Sequence, residues 1–205
     1  ILVDCGYKGF NSENYYFKGD LEDNEIVMDD TQKRFKFIHL VGAHTPFIYD
    51  SDCNIIDMKD GTYEQNAEAS ITLAAVYIDA LKKSGAYDDT ALIIMADHGY
   101  NGDYTSEYEF MRQAALFLVK GRGETHDTMQ TSQIPVAYED LLGAYERLMD
   151  GEESNGIFDW QENDSRERRF LYYDFDKEDI MIEYIQTGHA QDMTTMVPTG
   201  REFNR

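Results

Sequence analysis

Basic residues are scarce in this sequence: 18 Lys and Arg stand against 40 Asp and Glu, and the net charge is −22. A surface this acidic repels the phosphates of nucleic acids and of anionic lipids, so we expect neither as a partner. It tolerates divalent cations, and a bound metal ion would reverse the local charge toward an anionic substrate group. The composition therefore argues against a polyanion-binding protein and leaves a metal-dependent one open.

Cysteine and long apolar runs are also rare. The two cysteines, Cys5 and Cys53, could form one disulfide, but neither lies in a CxxC pair or a metal-ligand spacing, so the redox compartment stays open. No apolar run reaches the roughly 18 residues that a membrane span needs, and residues 1–10 lack the pattern of a signal peptide, so we expect the chain itself to be soluble. The sequence begins without Met and in mid-pattern, which predicts a piece of a longer protein.

Apolar content is high enough for folding, because 42% of the 205 residues are hydrophobic. Short apolar runs flank a helix-like segment, which predicts a single α/β domain over residues 1–205. We expect a mainly parallel sheet with helices on both faces. Two apolar runs near the end, 170–175 and 180–185, predict an antiparallel edge.

The most informative stretch is residues 91–99, which read Ala-Leu-Ile-Ile-Met-Ala-Asp-His-Gly. A continuous apolar run between turn residues predicts a strand that is buried on both faces. Ligands collect beyond the carboxyl ends of strands in α/β sheets, so Asp97 and His98 would lie at the rim of a crevice. Alone, such a tripeptide more often forms an ordinary turn.

A second predicted strand, at 35–41, ends in a similar way. The chain continues through Gly-Ala-His-Thr-Pro-Phe, where Pro46 favours an extended loop that presents His44. His39 lies inside this predicted strand, so we expect it to serve the core or the sheet face.

A helix is predicted between these two strands at 62–81, because Thr62 and Gln65 have the spacing of a capping box. A strand, a helix and a strand predict a right-handed βαβ unit, whose parallel strands would bring His44 and Asp97 to the same edge. The predicted apolar face of the helix consists of Ala67, Ile71, Ala74, Ala75, Ile78 and Leu81.

The remaining segments are less informative. Residues 1–33 are predicted to be loop with one strand at most, 100–113 a loop or short helix, 114–119 a strand and 151–169 an exposed charged linker. A second helix is predicted at 136–149, with a buried stripe of Leu141, Leu142, Tyr145 and Leu148.

Taken in order, these segments resemble the sulfatase and alkaline phosphatase superfamily, especially its lipoteichoic acid synthase-like phosphoglycerol transferases and phosphoethanolamine transferases. Residues 37–47 look like the His-x-Pro loop of that family, and 85–90 lead into a strand end, Ala96-Asp97-His98-Gly99, that is similar to its metal-binding motif. The strand at 116–120 and the Ser-x-x-Pro-Val segment at 132–136, before a helix that carries Asp140, continue the match.

The resemblance implies an alkaline phosphatase-like α/β/α sandwich with Asp97 and His98 as ligands of a divalent metal ion, whether Mn, Mg, Zn or Ca. It implies that His44 contacts the phosphate or sulfate group of a substrate. Arg112 and His126 are further candidates for lining the pocket.

Members of this family carry a Thr, Ser or modified Cys nucleophile, and a further acidic ligand, in an N-terminal half of the domain that has no counterpart here. We therefore expect this chain to be the C-terminal part of such a domain, with a motif core at 35–149, a hairpin region at 168–205 and no catalytic nucleophile. Tyr100 stands where the phosphoethanolamine transferases have Glu, which argues against that branch.

Two functions follow from these patterns. The first is a part of a metal-dependent hydrolase or phosphotransferase that acts on sulfate or phosphate esters of cell-surface polymers or glycans, in a membrane-anchored protein outside the cytoplasm. The alternative is a non-catalytic α/β module that binds carbohydrate or a protein through its 15 tyrosines.

Overall fold

The computed structural model describes residues 12–27, 34–100, 111–173 and 179–204. The chain divides into two compact units, Ile1–Thr90 and Ala91–Arg205, and each has its own cluster of buried apolar side chains. Within the described ranges, no helix is long and apolar enough to cross a membrane. Cys53 is a free, buried thiol, whereas Cys5 lies outside the described residues.

The first unit contains two packed helices, α1 (Glu13–Asp23) and α2 (Tyr63–Lys83). The predicted helix at 62–81 is confirmed, and its capping box is formed: Thr62 Oγ1 accepts from the Gln65 amide at 3.2 Å, and Gln65 Oε1 accepts from the Thr62 amide at 3.0 Å. The prediction of loop with one strand at most for residues 1–33 is wrong at 13–23, where α1 forms.

The predicted apolar face of α2 is largely wrong. Ile71 is 51% exposed, and the buried face consists of Asn66, Ala69, Leu73, Ala80 and Leu81. The helix is rotated relative to the prediction because Asn66 lies on its buried face. There the Asn66 Oδ1 accepts the Tyr49 amide at 3.0 Å. A buried backbone amide must be paired, and here a polar helix residue supplies the acceptor.

The predicted strand at 35–41 is absent from the structure. These residues have no regular secondary structure, and His39 is exposed rather than buried. Phe35 and Phe37 are also exposed, and no backbone hydrogen bond joins 35–41 to another described residue. A strand needs a neighbour to receive its amides and carbonyls, and no described strand lies beside this one.

The second unit begins with β1 (Leu92–Met95), which pairs antiparallel with β2 (Phe117–Lys120). The strand predicted within 91–99 is therefore confirmed as a strand, but its residues are half-buried rather than buried on both faces. The strand predicted at 114–119 begins three residues later, at Phe117.

Helix α3 (Leu141–Asp150) follows a 3-10 turn at Tyr138–Asp140, so the helix predicted at 136–149 begins later than expected. Its buried residues are Ala144 and Leu148, and Leu142 is exposed, contrary to the predicted stripe. The supposed linker at 151–169 supplies Ile157 and Phe158 to the same core. Those two apolar residues pack with Ala144 and Leu148 of α3.

A three-stranded antiparallel sheet ends the second unit: β3 (Arg168–Tyr173), β4 (Ile180–Gln186) and β5 (Met196–Asn204), in that spatial order. The strands predicted at 170–175 and 180–185 correspond to β3 and β4, whereas β5 was not foreseen. All pairings among the described strands are antiparallel. The mainly parallel α/β/α sandwich and the single domain over 1–205 stay predictions.

Hydrogen exchange tests the state of residues 35–41. Because their amides have no partner among the described residues, we expect exchange within about tenfold of the rate of an unstructured peptide, and exchange at least about 100-fold slower in the middle of α2. Exchange mass spectrometry on overlapping peptides measures both segments in one sample. Protection of 35–41 equal to that of α2 would mean that these residues form the paired strand predicted by the sequence.

Candidate metal site at the end of strand β1

Strand β1 ends at Met95, and the chain bends at Asp97 and His98. His98 Nδ1 lies 2.7 Å from the Gly99 carbonyl oxygen, which can only accept, so in the neutral ring Nδ1 carries the proton. The lone pair is then on Nε2, which lies 3.9 Å from Asp97 Oδ1. The Asp97 side chain is 91% exposed and that of His98 34%. The bend thus presents a carboxylate and an imidazole lone pair side by side.

Three hydrogen bonds from other parts of the unit hold this bend. The Ala96 amide donates to the Leu116 carbonyl at 3.0 Å, and the Gly99 amide donates to the Arg112 carbonyl at 2.7 Å. The Tyr138 hydroxyl donates to the Ala96 carbonyl. Arg112, a predicted pocket residue, therefore adjoins the bend through its main chain, while its side chain is exposed.

Tyr138 is a neighbour of the bend that the sequence did not single out. Burial of its hydroxyl raises its pKa, and the nearby Asp97 charge raises this pKa further. The hydroxyl therefore keeps its proton at neutral pH and acts as a donor. Tyr138 and Ala96 are 42 positions apart in sequence, so no local pattern could have paired them.

A buried arginine fixes the turn that carries Tyr138. Arg166 Nη1 donates to Asp140 Oδ2 at 2.5 Å and to the Pro135 carbonyl at 3.0 Å, and Nη2 pairs with the Glu139 carboxylate. The guanidinium lies 4.6 Å from the centre of the Trp160 ring. Asp140 Oδ2 also accepts the Ala137 amide at 2.8 Å, which closes the 3-10 turn.

His44 lies in the first unit, on an exposed turn before Pro46. Its Nδ1 is 2.5 Å from the Thr45 carbonyl oxygen, and its own carbonyl accepts from Asn66 Nδ2 at 3.4 Å. Helix α2 thus holds the His44 loop through Asn66. Because His44 and Asp97 belong to different units, their meeting at one edge stays a prediction.

The His126 ring pairs with Glu124. Its Nε2 lies 3.0 Å from Glu124 Oε1, and the Glu124 carboxylate also accepts from the Gly121 amide at 2.6 Å and the Ser154 hydroxyl at 2.5 Å. Burial alone would raise the pKa of Glu124, but these hydrogen bonds outweigh it and lower the pKa to about 2. Within the described part of the unit, His126 therefore fastens a loop rather than joining the bend at Asp97.

Asp97 and His98 fit a metal site in part. Carboxylate and imidazole are ligands for Mn and Zn, and an imidazole that donates its other N–H to a carbonyl is the usual state of a ligating histidine. Two donors leave several coordination positions to be filled. Among residues 12–27, 34–100, 111–173 and 179–204, no group of three or more His, Cys, Asp and Glu could hold a metal ion.

A groove of about 490 Å³ crosses the sheet of β3, β4 and β5. In it the buried Glu183 carboxylate pairs with Arg169 at 3.2 Å and with Arg201 at 3.1 Å. Glu167 also pairs with Arg169, so the charges of the two arginines are balanced by two carboxylates. None of the residues that the sequence predicts for a site lines this groove.

Replacing Glu124 tests the loop contact that involves His126. The folded-state pKa of Glu124 lies below its ordinary value of 4.5, at about 2, so its ionised form stabilises the fold above about pH 4.5 and this contribution is lost as the pH falls toward 2. We expect Glu124→Gln to lower the free energy of unfolding by about 1–3 kcal/mol at pH 7, and by less at pH 3.

Urea unfolding at both pH values measures this difference. Glu146→Gln is the matched control, because Glu146 is an exposed glutamate on α3, and it should change stability little at either pH. An equal loss at pH 7 and pH 3 for Glu124→Gln would contradict a contribution from the ionised carboxylate.

The chain matches no family model, no curated protein and no solved structure. A function for it therefore depends on the chemistry of the Asp97–His98 pair and on what surrounds that pair.

Proposed function

We propose that Asp97 and His98 are ligands of a divalent metal ion in a sulfatase-like hydrolase or phosphotransferase, acting on sulfate or phosphate esters of cell-surface polymers or glycans. The observation that carries this proposal is the hydrogen bond from His98 Nδ1 to the Gly99 carbonyl, because it leaves the Nε2 lone pair beside the Asp97 carboxylate. An exposed carboxylate next to an available imidazole nitrogen is a donor pair for Mn, Zn, Mg or Ca.

Each residue has a chemical role in this proposal. Asp97 and His98 hold the metal ion, which when bound takes up charge on the oxygens of the ester. His44, exposed at the end of its loop, would donate a hydrogen bond to a non-bridging oxygen of the transferred group. Arg112 and His126 remain weaker candidates, since Arg112 adjoins the bend by its main chain and His126 pairs with Glu124.

The nucleophile is not among the residues that we assign. In the proposed enzyme, a Thr, Ser or Cys and a further acidic ligand come from an N-terminal half of the domain, and the intact protein is membrane-anchored and works outside the cytoplasm. The bend at Asp97 is compatible with this division, because two donors alone leave room for ligands from elsewhere.

The competing function is a binding module without catalysis. It is favoured by exposed aromatic rings in the first unit, such as Tyr15 and Tyr16, whose ring centres lie 5.5 Å apart on α1. Exposed aromatic rings that lie next to each other suit contacts with sugars or with a partner protein. Metal binding separates the two functions, because the binding module has no need of Asp97 or His98 as ligands.

Metal titration tests the proposal directly. We expect the chain to bind Mn²⁺ weakly by isothermal calorimetry, and Asp97→Ala and His98→Ala each to weaken binding at least about tenfold. Asp127→Ala and His39→Ala are matched controls, since both residues are exposed and neither is assigned to the site. Unchanged binding in both site variants would refute the assignment.

Turnover by the isolated chain tests the division between two halves. Covalent catalysis needs the nucleophile and the metal together, so we expect hydrolysis of nitrophenyl phosphate and nitrophenyl sulfate at the background rate, with or without Mn²⁺. Hydrolysis well above background that disappears in Asp97→Ala would contradict the division of the catalytic groups between two halves.

A further inference from the structure

We infer that Tyr138 is a positioning residue for the Asp97–His98 pair, and that its hydroxyl, by donating to the Ala96 carbonyl, sets the direction in which the two ligands leave strand β1. The contact joins the turn before α3 to the last residue before the ligands. This inference rests on the proposed function, because it concerns the metal affinity of the same pair.

The hydrogen bond from Tyr138 acts on the peptide group that directly precedes the Asp97 side chain. The Ala96 carbonyl and the Asp97 amide belong to one rigid peptide plane, so a hydrogen bond on that carbonyl fixes the plane from which the Asp97 side chain starts. The other two bonds to the bend are made by the amides of Ala96 and Gly99, on either side of this plane. Without the Tyr138 hydroxyl, the plane between Ala96 and Asp97 loses its side-chain partner.

Tyr138 can hold that plane because its own position is fixed. Its neighbours Glu139 and Asp140 are both paired with Arg166, which is only 5% exposed. A buried guanidinium with a carboxylate on each arm and a carbonyl at Pro135 is an arrangement with little freedom. The position of the hydroxyl is therefore set by a turn whose two carboxylates are paired with a buried arginine.

Affinity and stability should respond differently to the loss of this hydroxyl. Tyr138 is 45% exposed and the bond is a single neutral one, so its removal should change the stability of the fold only slightly. Metal affinity is more sensitive, because a partner that orients a ligand typically accounts for about 10–100-fold in metal binding.

The test is Mn²⁺ titration of Tyr138→Phe beside the wild-type chain. We expect the variant to keep its circular dichroism spectrum and thermal midpoint and to bind Mn²⁺ at least about tenfold more weakly. Tyr145→Phe is the matched control: the Tyr145 hydroxyl contacts Met95 Sδ at 3.6 Å, on the same strand but before the bend, and sulfur is a weak acceptor. Its affinity should equal that of the wild type.

A second readout follows the ligand itself. Broadening of the His98 ring signals by Mn²⁺ should require a correspondingly higher Mn²⁺ concentration in Tyr138→Phe than in Tyr145→Phe. A role of Tyr138 in general stability alone would move the thermal midpoint but not this concentration.

The outcomes separate the inference from the proposed function. Equal affinity of Tyr138→Phe and the wild type would overturn the inference and leave the metal site standing. Equal losses of affinity in Tyr138→Phe and Tyr145→Phe, or loss of the fold in Tyr138→Phe, would overturn it as well. Absence of Mn²⁺ binding by the wild-type chain would overturn the proposed function and this inference together.

Discussion

The ion pairs and hydrogen bond of Arg166, one of two buried arginines among the described residues of the second unit, connect three segments of that unit. Arg166 is taken out of water, and an unpaired charge in that position would cost several kcal/mol. Its partners, Glu139 and Asp140, are adjacent in sequence and would repel each other without it. Arg166 is one of only 18 basic residues in the chain. It connects the segment before α3 and the 3-10 turn at Tyr138–Asp140 to residues 151–169, which the sequence predicted to be a linker. The bend at Asp97 is connected to the same cluster through Tyr138.

Helix α2, which has a local cause, could be predicted from the sequence, whereas the state of residues 35–41 and the buried face of α2, which depend on distant partners, could not. Helix α2 begins where Thr62 and Gln65 cap each other, and both residues lie within one turn of the helix. The segment 35–41 has the composition of a strand, but a strand exists only when another segment accepts its hydrogen bonds. The buried face of α2 was mispredicted for the same reason, because the polar Asn66 lies inside, where it pairs with the main chains of Tyr49 and His44.

Some residues of the candidate site could likewise be predicted from a local pattern, and others could not. Asp97 and His98 are neighbours at the end of an apolar run, so a local pattern could single them out. Tyr138 reaches Ala96 from 42 positions away, and Arg166 lies in a stretch whose charges resemble those of a solvated linker. His126 is predicted as a pocket residue, and its Nε2 lies 3.0 Å from the Glu124 carboxylate, a contact that the sequence did not indicate.

The identity of the two donors also bears on how so acidic a chain would receive an anionic ester. In the proposed site, a divalent ion held by Asp97, His98 and the further acidic ligand would keep a local charge near zero, whereas three carboxylates would leave about −1. The remote charges that make up the net −22 are screened over about 8 Å at physiological salt, so an incoming sulfate or phosphate would be governed mainly by the charge at the bend. A histidine beside the aspartate, rather than another acid, would therefore keep the proposed site from carrying a net negative charge where the anion binds.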